Sequence, residues 1–91
     1  MFDNSQITHI VTETILLIKL TKQFEINNAS YTEEVRSAAA LRLSLKKKYV
    51  EMLMAPITET DLNAFNEEFK RQDPELFSDL TKNQEKPAEK K

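Results

Sequence analysis

The side chains that most often carry catalysis or metal binding are scarce in this sequence. It has one histidine, His9, and no cysteine, whereas a zinc site or an activated nucleophile needs several such groups close together. The acidic pairs Glu33/Glu34 and Glu67/Glu68 are adjacent in the chain, so their side chains diverge on a helix. We therefore predict that the protein is not an enzyme, that it has no cofactor or metal site, and that His9 is an exposed helix residue.

Two basic residues of the predicted second helix are the first candidates for binding. Arg42 and Lys46 lie one turn apart, within the apolar arc of that helix. A charge at such a position is costly unless it is paired or its long stem carries it to the solvent. Two interpretations stay open. In the first, the stems cover apolar surface within the fold, and the charges lie at the rim or pair with an acid of the third helix. In the second, the face remains open until a partner's carboxylate or phosphate covers it.

A wider basic segment raises the alternative of nucleic-acid binding. It consists of Arg36, Arg42, Lys46, Lys47 and Lys48. The three consecutive lysines point in different directions on a helix, and the chain has a net charge of −2. Binding through so few phosphate contacts would be weak and sensitive to salt. Binding of a protein partner through these residues is therefore the first hypothesis, and binding of DNA or RNA is the alternative.

The first predicted helix, from about Ser5 to Phe24, has Ser5 as its predicted cap. It is apolar around most of its circumference. Its main stripe contains Ile7, Ile10, Val11, Leu17, Ile18 and Phe24. Leu16 and Leu20 fall outside that stripe, and a helix of this kind is usually covered on more than one side. We therefore expect self-association through Leu16 and Leu20, as a homodimer.

A short link and a second long helix should complete a hairpin. Asn27 and Asn28 tolerate the left-handed conformation that ends a helix, and Ser30 with Glu33 fits a capping box. These signals predict a second helix over about Tyr31 to Met54. Its predicted buried stripe is Tyr31, Val35, Ala38, Leu45, Tyr49, Met52 and Leu53, with Leu41 at the margin.

Two shorter helices and a polar tail follow. Pro56 ends the hairpin, and Thr58 or Thr60 begins a third helix with Leu62, Phe65 and Phe69 on one face. Asp73-Pro74 predicts the start of a fourth helix with Leu76, Phe77 and Leu80. From Asn83 onward no apolar residue is larger than alanine or proline. We predict one helical domain over residues 1–82 and a disordered tail over 83–91.

Composition supports an all-α fold: a long antiparallel αα-hairpin with two short C-terminal helices and the tail. Glycine is absent, which excludes glycine-rich phosphate loops and disfavours a fold with many tight turns. Residues 30–54 carry five basic and three acidic side chains, and residues 55–82 carry three basic and seven acidic ones. This split favours pairing between the two halves over attraction to nucleic acid.

These observations predict a small adaptor or regulatory protein that acts by binding another protein. No apolar run is long enough to cross a membrane, and the N-terminus lacks the basic region of a signal peptide. We therefore expect a cytoplasmic protein without a membrane partner. Small chains poor in glycine and rich in lysine, asparagine, glutamate and threonine are similar in composition to phage and plasmid accessory proteins. That similarity implies the cytoplasm of an infected or plasmid-bearing bacterial host.

Overall fold

The computed structural model describes residues 2–89, with side chains for residues 2–82, and it confirms an all-α fold. The four helices are α1 (Asn4–Asn27), α2 (Glu33–Met54), α3 (Glu59–Gln72) and α4 (Pro74–Glu89), with a single 3₁₀ turn (Asn28–Ser30) between α1 and α2. Helices α1 and α2 form the predicted antiparallel hairpin. The pairing of His9 with Tyr49 and of Glu13 with Lys46 shows their opposite directions.

Helix α1 begins slightly earlier than predicted because Asp3, and not Ser5, caps it. The Asp3 carboxylate accepts a hydrogen bond from the backbone N–H of Gln6 at 2.8 Å, and the Gln6 side chain accepts one from the backbone N–H of Asp3 at 2.9 Å. This reciprocal pair is a capping box. It satisfies two backbone donors, whereas Ser5 lies within the first turn.

The link between α1 and α2 differs from the prediction. No described residue has a positive φ, so Asn27 and Asn28 continue into a 3₁₀ turn without a left-handed residue. Ser30 does not cap α2, because it belongs to that turn and its hydroxyl donates to the Asn27 carbonyl. Thr32 caps α2 instead, with its hydroxyl oxygen accepting from the backbone N–H of Val35 at 3.2 Å.

The predicted starts of α3 and α4 are confirmed. Thr58 caps α3 and forms a capping box with Asp61. Asp73 precedes Pro74, the first residue of α4, and its carboxylate accepts from the backbone N–H of Leu76 at 3.2 Å. In both cases the side-chain oxygen satisfies a backbone donor that the helix itself leaves free.

The core lies between the first half of α1 and the two C-terminal helices, at one end of the hairpin. Its buried members are Ile7, Ile10, Val11, Ile15, Phe65, Phe69 and Leu76. Gln72 fastens α3 to α1: its amide oxygen accepts from Thr12 at 3.1 Å and its amide nitrogen donates to the Thr8 carbonyl at 3.3 Å. Helix α2 adds Leu53 and Met54 to the edge of this core.

Helix α4 extends past the residue at which the sequence predicts a disordered tail. Its backbone is helical to Glu89, which is seven residues into the predicted tail of 83–91, and Lys90 and Lys91 lie outside the described residues. Gln84, Glu85 and Lys86 are good helix formers, and a helix already begun at Pro74 can propagate through them at little cost. Pro87 has no N–H to continue the hydrogen-bond ladder, so propensity does not account for the last turn.

Candidate functional site on the second helix

Helix α2 presents a different face to α1 than its apolar pattern predicts. The positions directed toward α1 are Arg36, Ala39, Leu43, Lys46, Val50 and Leu53, all of them buried or half-buried. Each of them follows by one residue a position on the neighbouring, more apolar face, and Leu53 alone also belongs to the predicted stripe. Because successive helical residues are about 100° apart, α2 is rotated by roughly that angle from the predicted orientation, and its predicted stripe is corrected accordingly.

Polar contacts hold α2 in this orientation. The Lys46 ammonium lies 3.1 Å from a carboxylate oxygen of Glu13 on α1. One turn further along α2, the Tyr49 hydroxyl lies 3.2 Å from His9 Nε2. Lys46 is therefore paired within the chain, with an acid of the first helix and not of the third.

Arg36 is also engaged within the chain. Its guanidinium donates to the side chain of Asn28 at 3.0 Å and to the carbonyls of Asn28 and Tyr31 at 3.2 and 3.0 Å. These contacts satisfy the carbonyls at the end of α1 and the turn. Arg36 thus stabilises the link that contains no glycine.

The rotation leaves the more apolar face of α2 exposed. We call this surface the open face, and it consists of Val35, Ala38, Leu41, Arg42, Leu45, Tyr49 and Met52. The exposed fractions of its large apolar residues are 49% for Val35, 62% for Leu41, 60% for Leu45, 42% for Tyr49 and 69% for Met52. A shallow groove runs along its middle between Ala38 and Tyr49.

The five residues of the predicted basic segment do not form one surface. Arg36 and Lys46 are occupied within the chain, while Arg42, Lys47 and Lys48 are exposed. The three ion pairs formed among the described side chains are Lys19–Asp73, Lys46–Glu13 and Arg71–Glu68, so Arg42 takes part in none of them. Of the five basic residues, Arg42 alone lies on the open face.

The two leucines predicted for self-association occupy different environments. Leu16 is 48% exposed and lies one turn beyond Glu13, on the side of α1 that adjoins α2. Leu20 is half-buried between the two helices, near Phe24 and Leu43. Leu16 therefore extends the apolar surface beside the open face, whereas Leu20 contributes to the hairpin itself.

Glu68 and His9 lie outside the open face and make contacts within the fold, and no metal-binding cluster forms among the described side chains. Among the described side chains, no cluster of three or more histidine, cysteine or acidic residues could hold a metal ion. The Arg71 guanidinium and the Gln72 amide lower the pKa of Glu68 to about 2. His9 is exposed at the edge of α1, where it positions Tyr49.

Comparison with known protein families, with curated proteins and with solved structures found no match. Within residues 2–89, none of the helices combines the length and the apolar character that crossing a membrane requires. The open face and the contacts around it are therefore the features from which function is inferred.

Proposed function

We propose that this protein is a non-catalytic adaptor or regulator that works in the cytoplasm by binding a protein through the open face of α2. One observation carries the proposal: α2 turns a mixed polar face toward its own chain and leaves its more apolar face in water. Burial of apolar surface is the main driving force of folding. A helix with this orientation gains most of its hydrophobic stabilisation only when another surface covers it.

The size of the open face supports a protein partner. Its five large apolar residues expose on the order of 500 Å², if a full side chain of this kind has about 150–200 Å². The largest apolar patch of a typical monomer is about 300–600 Å² and is often a binding site, so the open face has the size of such a site. The shallow shape of the groove suits a helix more than a small molecule, which needs an enclosing cavity.

The charges around the open face favour protein over nucleic acid. Lys46 is paired with Glu13, the Arg36 guanidinium donates to oxygens of Asn28 and Tyr31, and Lys47 and Lys48 point away from Arg42 around the helix. A phosphate backbone would thus meet few aligned cations. Arg42, by contrast, stands within an apolar surface, where its guanidinium can stack on an aromatic ring of a partner or hold a carboxylate by two parallel hydrogen bonds.

The proposal can be tested with a photo-crosslinking amino acid, benzoylphenylalanine, placed at Leu45 and expressed in the source organism. Leu45 lies at the centre of the open face and is 60% exposed, so the substitution should be accepted by the fold. The matched control carries the same amino acid at Ser44, which is exposed on the neighbouring side of α2.

We expect protein adducts from position 45 and few or none from position 44. Mass spectrometry of the adducts would also report whether the captured peptide comes from this chain or from another protein. Adducts to nucleic acid from position 45, or equal labelling from both positions, would contradict the proposed function.

A further inference from the structure

The open face has the spacing of a helix that pairs with another helix. Its seam residues follow one another at intervals of three and four: Val35, Ala38, Arg42, Leu45, Tyr49 and Met52. This is the a/d repeat by which two helices pack side chains into one another's gaps. Leu41 and Leu16 flank the seam and widen the surface that a second helix would cover.

We infer that the occupant of the open face is a second copy of the chain, with the two α2 helices antiparallel about a twofold axis. The inference rests on the proposed function and names its partner. In this arrangement Ala38 faces Tyr49 of the second copy, and Val35 faces its Met52. Ala38, the smallest seam residue, therefore lies opposite Tyr49, the bulkiest. Because the dimer is symmetric, the same Ala38–Tyr49 contact forms twice, once on each side of the twofold axis.

The antiparallel direction follows from the residues at the centre and ends of the seam. In a parallel pair each seam residue would face the same residue of the second copy. The two Arg42 side chains would repel each other, and the two Tyr49 rings would be crowded together. The antiparallel pair places Arg42 one turn from Ala38 and thus beside Tyr49 of the second copy. The guanidinium can stack on that ring while its stem covers Leu45 of the second copy.

The surface area fits a dimer of modest affinity. Two open faces with their flanking leucines would remove roughly 1,200 Å² from water, the lower limit for specific protein–protein interfaces. We therefore expect a dissociation constant on the order of micromolar.

Light scattering over a dilution series tests the dimer directly. The wild-type chain should have twice the monomer mass at about 200 µM and approach the monomer mass on dilution into the low micromolar range. Leu45→Glu should weaken association by about 100-fold or more, because each dimer contains the substituted residue twice. Ser44→Glu is the matched control and should associate like the wild type. Both variants should keep a helical circular-dichroism spectrum, since both positions are exposed.

Disulfide trapping tests the direction of the helices. Because the chain has no cysteine of its own, any disulfide must join the introduced residues. Val35→Cys mixed with Met52→Cys should form a mixed disulfide dimer. Neither variant alone should form a disulfide dimer, because the two cysteines of such a dimer would lie about 25 Å apart along the helices. Ser37→Cys mixed with Glu51→Cys, on the opposite side of α2, is the control and should stay monomeric.

Each remaining outcome decides between the two proposals. Disulfide dimers of Val35→Cys or Met52→Cys alone would overturn the antiparallel arrangement. A monomeric wild-type chain at 200 µM would overturn the dimer. In that case adducts from Leu45 to a different protein would still support the proposed function, while the lack of any protein adduct would remove both.

Discussion

At the scale of single residues, Asp61 connects three parts of the chain. It is 2% exposed. One carboxylate oxygen accepts from the backbone N–H of Phe2 at 3.0 Å, and the other accepts from the backbone N–H and the hydroxyl of Thr58 at 3.2 and 2.9 Å. Asp61 thus completes the capping box of α3 and attaches the segment before α1 to that helix. The Phe2 N–H lowers the pKa of Asp61 below its ordinary value of 3.8, and Thr58 lowers it further against the effect of burial.

Asp61→Asn should lower the melting temperature at pH 7 by about 5–10 °C, because the amide turns a donor toward backbone donors that the carboxylate accepts. A carboxyl with a lowered pKa in the folded state stabilises above its unfolded pKa, and that contribution is lost as the pH falls through the folded value. The gap between variant and wild type should therefore narrow below about pH 4 in thermal melts followed by circular dichroism.

Asp79→Asn serves as the control for that substitution. Asp79 is exposed on α4, and its replacement should change the melting temperature by about 2 °C at most. Equal stability of Asp61→Asn and the wild type at pH 7 would show that these hydrogen bonds contribute nothing net.

At the residue level, the start of α4 at Asp73 was predicted outright, and the start of α3 was predicted as Thr58 or Thr60. The structure selects Thr58, whose capping box with Asp61 satisfies donors of the first turn, and Asp73 caps as predicted. The predicted cap at Ser30 was wrong because Thr32, two residues on, offers the same hydroxyl. Capping by Thr32 is compatible with a 3₁₀ turn at Ser30, and this is the cap that forms. The contacts of Asp61 with Phe2 join residues 59 positions apart, and no local pattern encodes such a distance.

At the scale of elements, the helices themselves were predictable and the orientation of α2 was not. Apolar residues recur with helical spacing on two neighbouring faces of α2, and periodicity favours the richer one. The observed orientation depends on Lys46 meeting Glu13 and on Arg36 binding the link, which are contacts between elements. The candidate site was therefore found only in part: Arg42 is on the open face, whereas Lys46 is paired beside it.

The end of α4 yields a prediction at this scale. Truncation after Lys82 should change the melting temperature by no more than about 3 °C, because the core contacts of α4 are made by Leu76, Phe77 and Leu80. Truncation after Ser78 is the comparison. It removes the half-buried Leu80 and should lower the melting temperature by more than about 3 °C, since a fully buried leucine contributes about 1.5–3 kcal/mol and a half-buried one a part of that. A large loss from the first truncation would mean that residues 83–91 pack on the domain.

At the scale of the whole molecule, the buried residues concentrate at one end and the hairpin extends away from them. The radius of gyration is 15.3 Å, against about 12 Å for a compact chain of this length. The buried residues of α1 end at Ile15, and those of α2 consist of Val50 alone. The distal half of the hairpin is thus held by polar contacts and half-buried side chains, while its outer surface is apolar.

This uneven distribution predicts uneven hydrogen exchange. In the Leu45→Glu variant, which we expect to be monomeric, amides of residues 35–45 should exchange at least about tenfold faster than those of residues 7–15 and 65–69, because fewer buried contacts must break to expose them. In the wild-type chain the same α2 amides should become better protected as concentration rises, since the second copy binds only the ordered helix. Residues 7–15 provide the internal reference in both samples. Uniform protection along α2 in the variant would contradict a weakly held distal hairpin. If protection of the wild-type α2 amides did not change with concentration, self-association would not contribute to the order of α2.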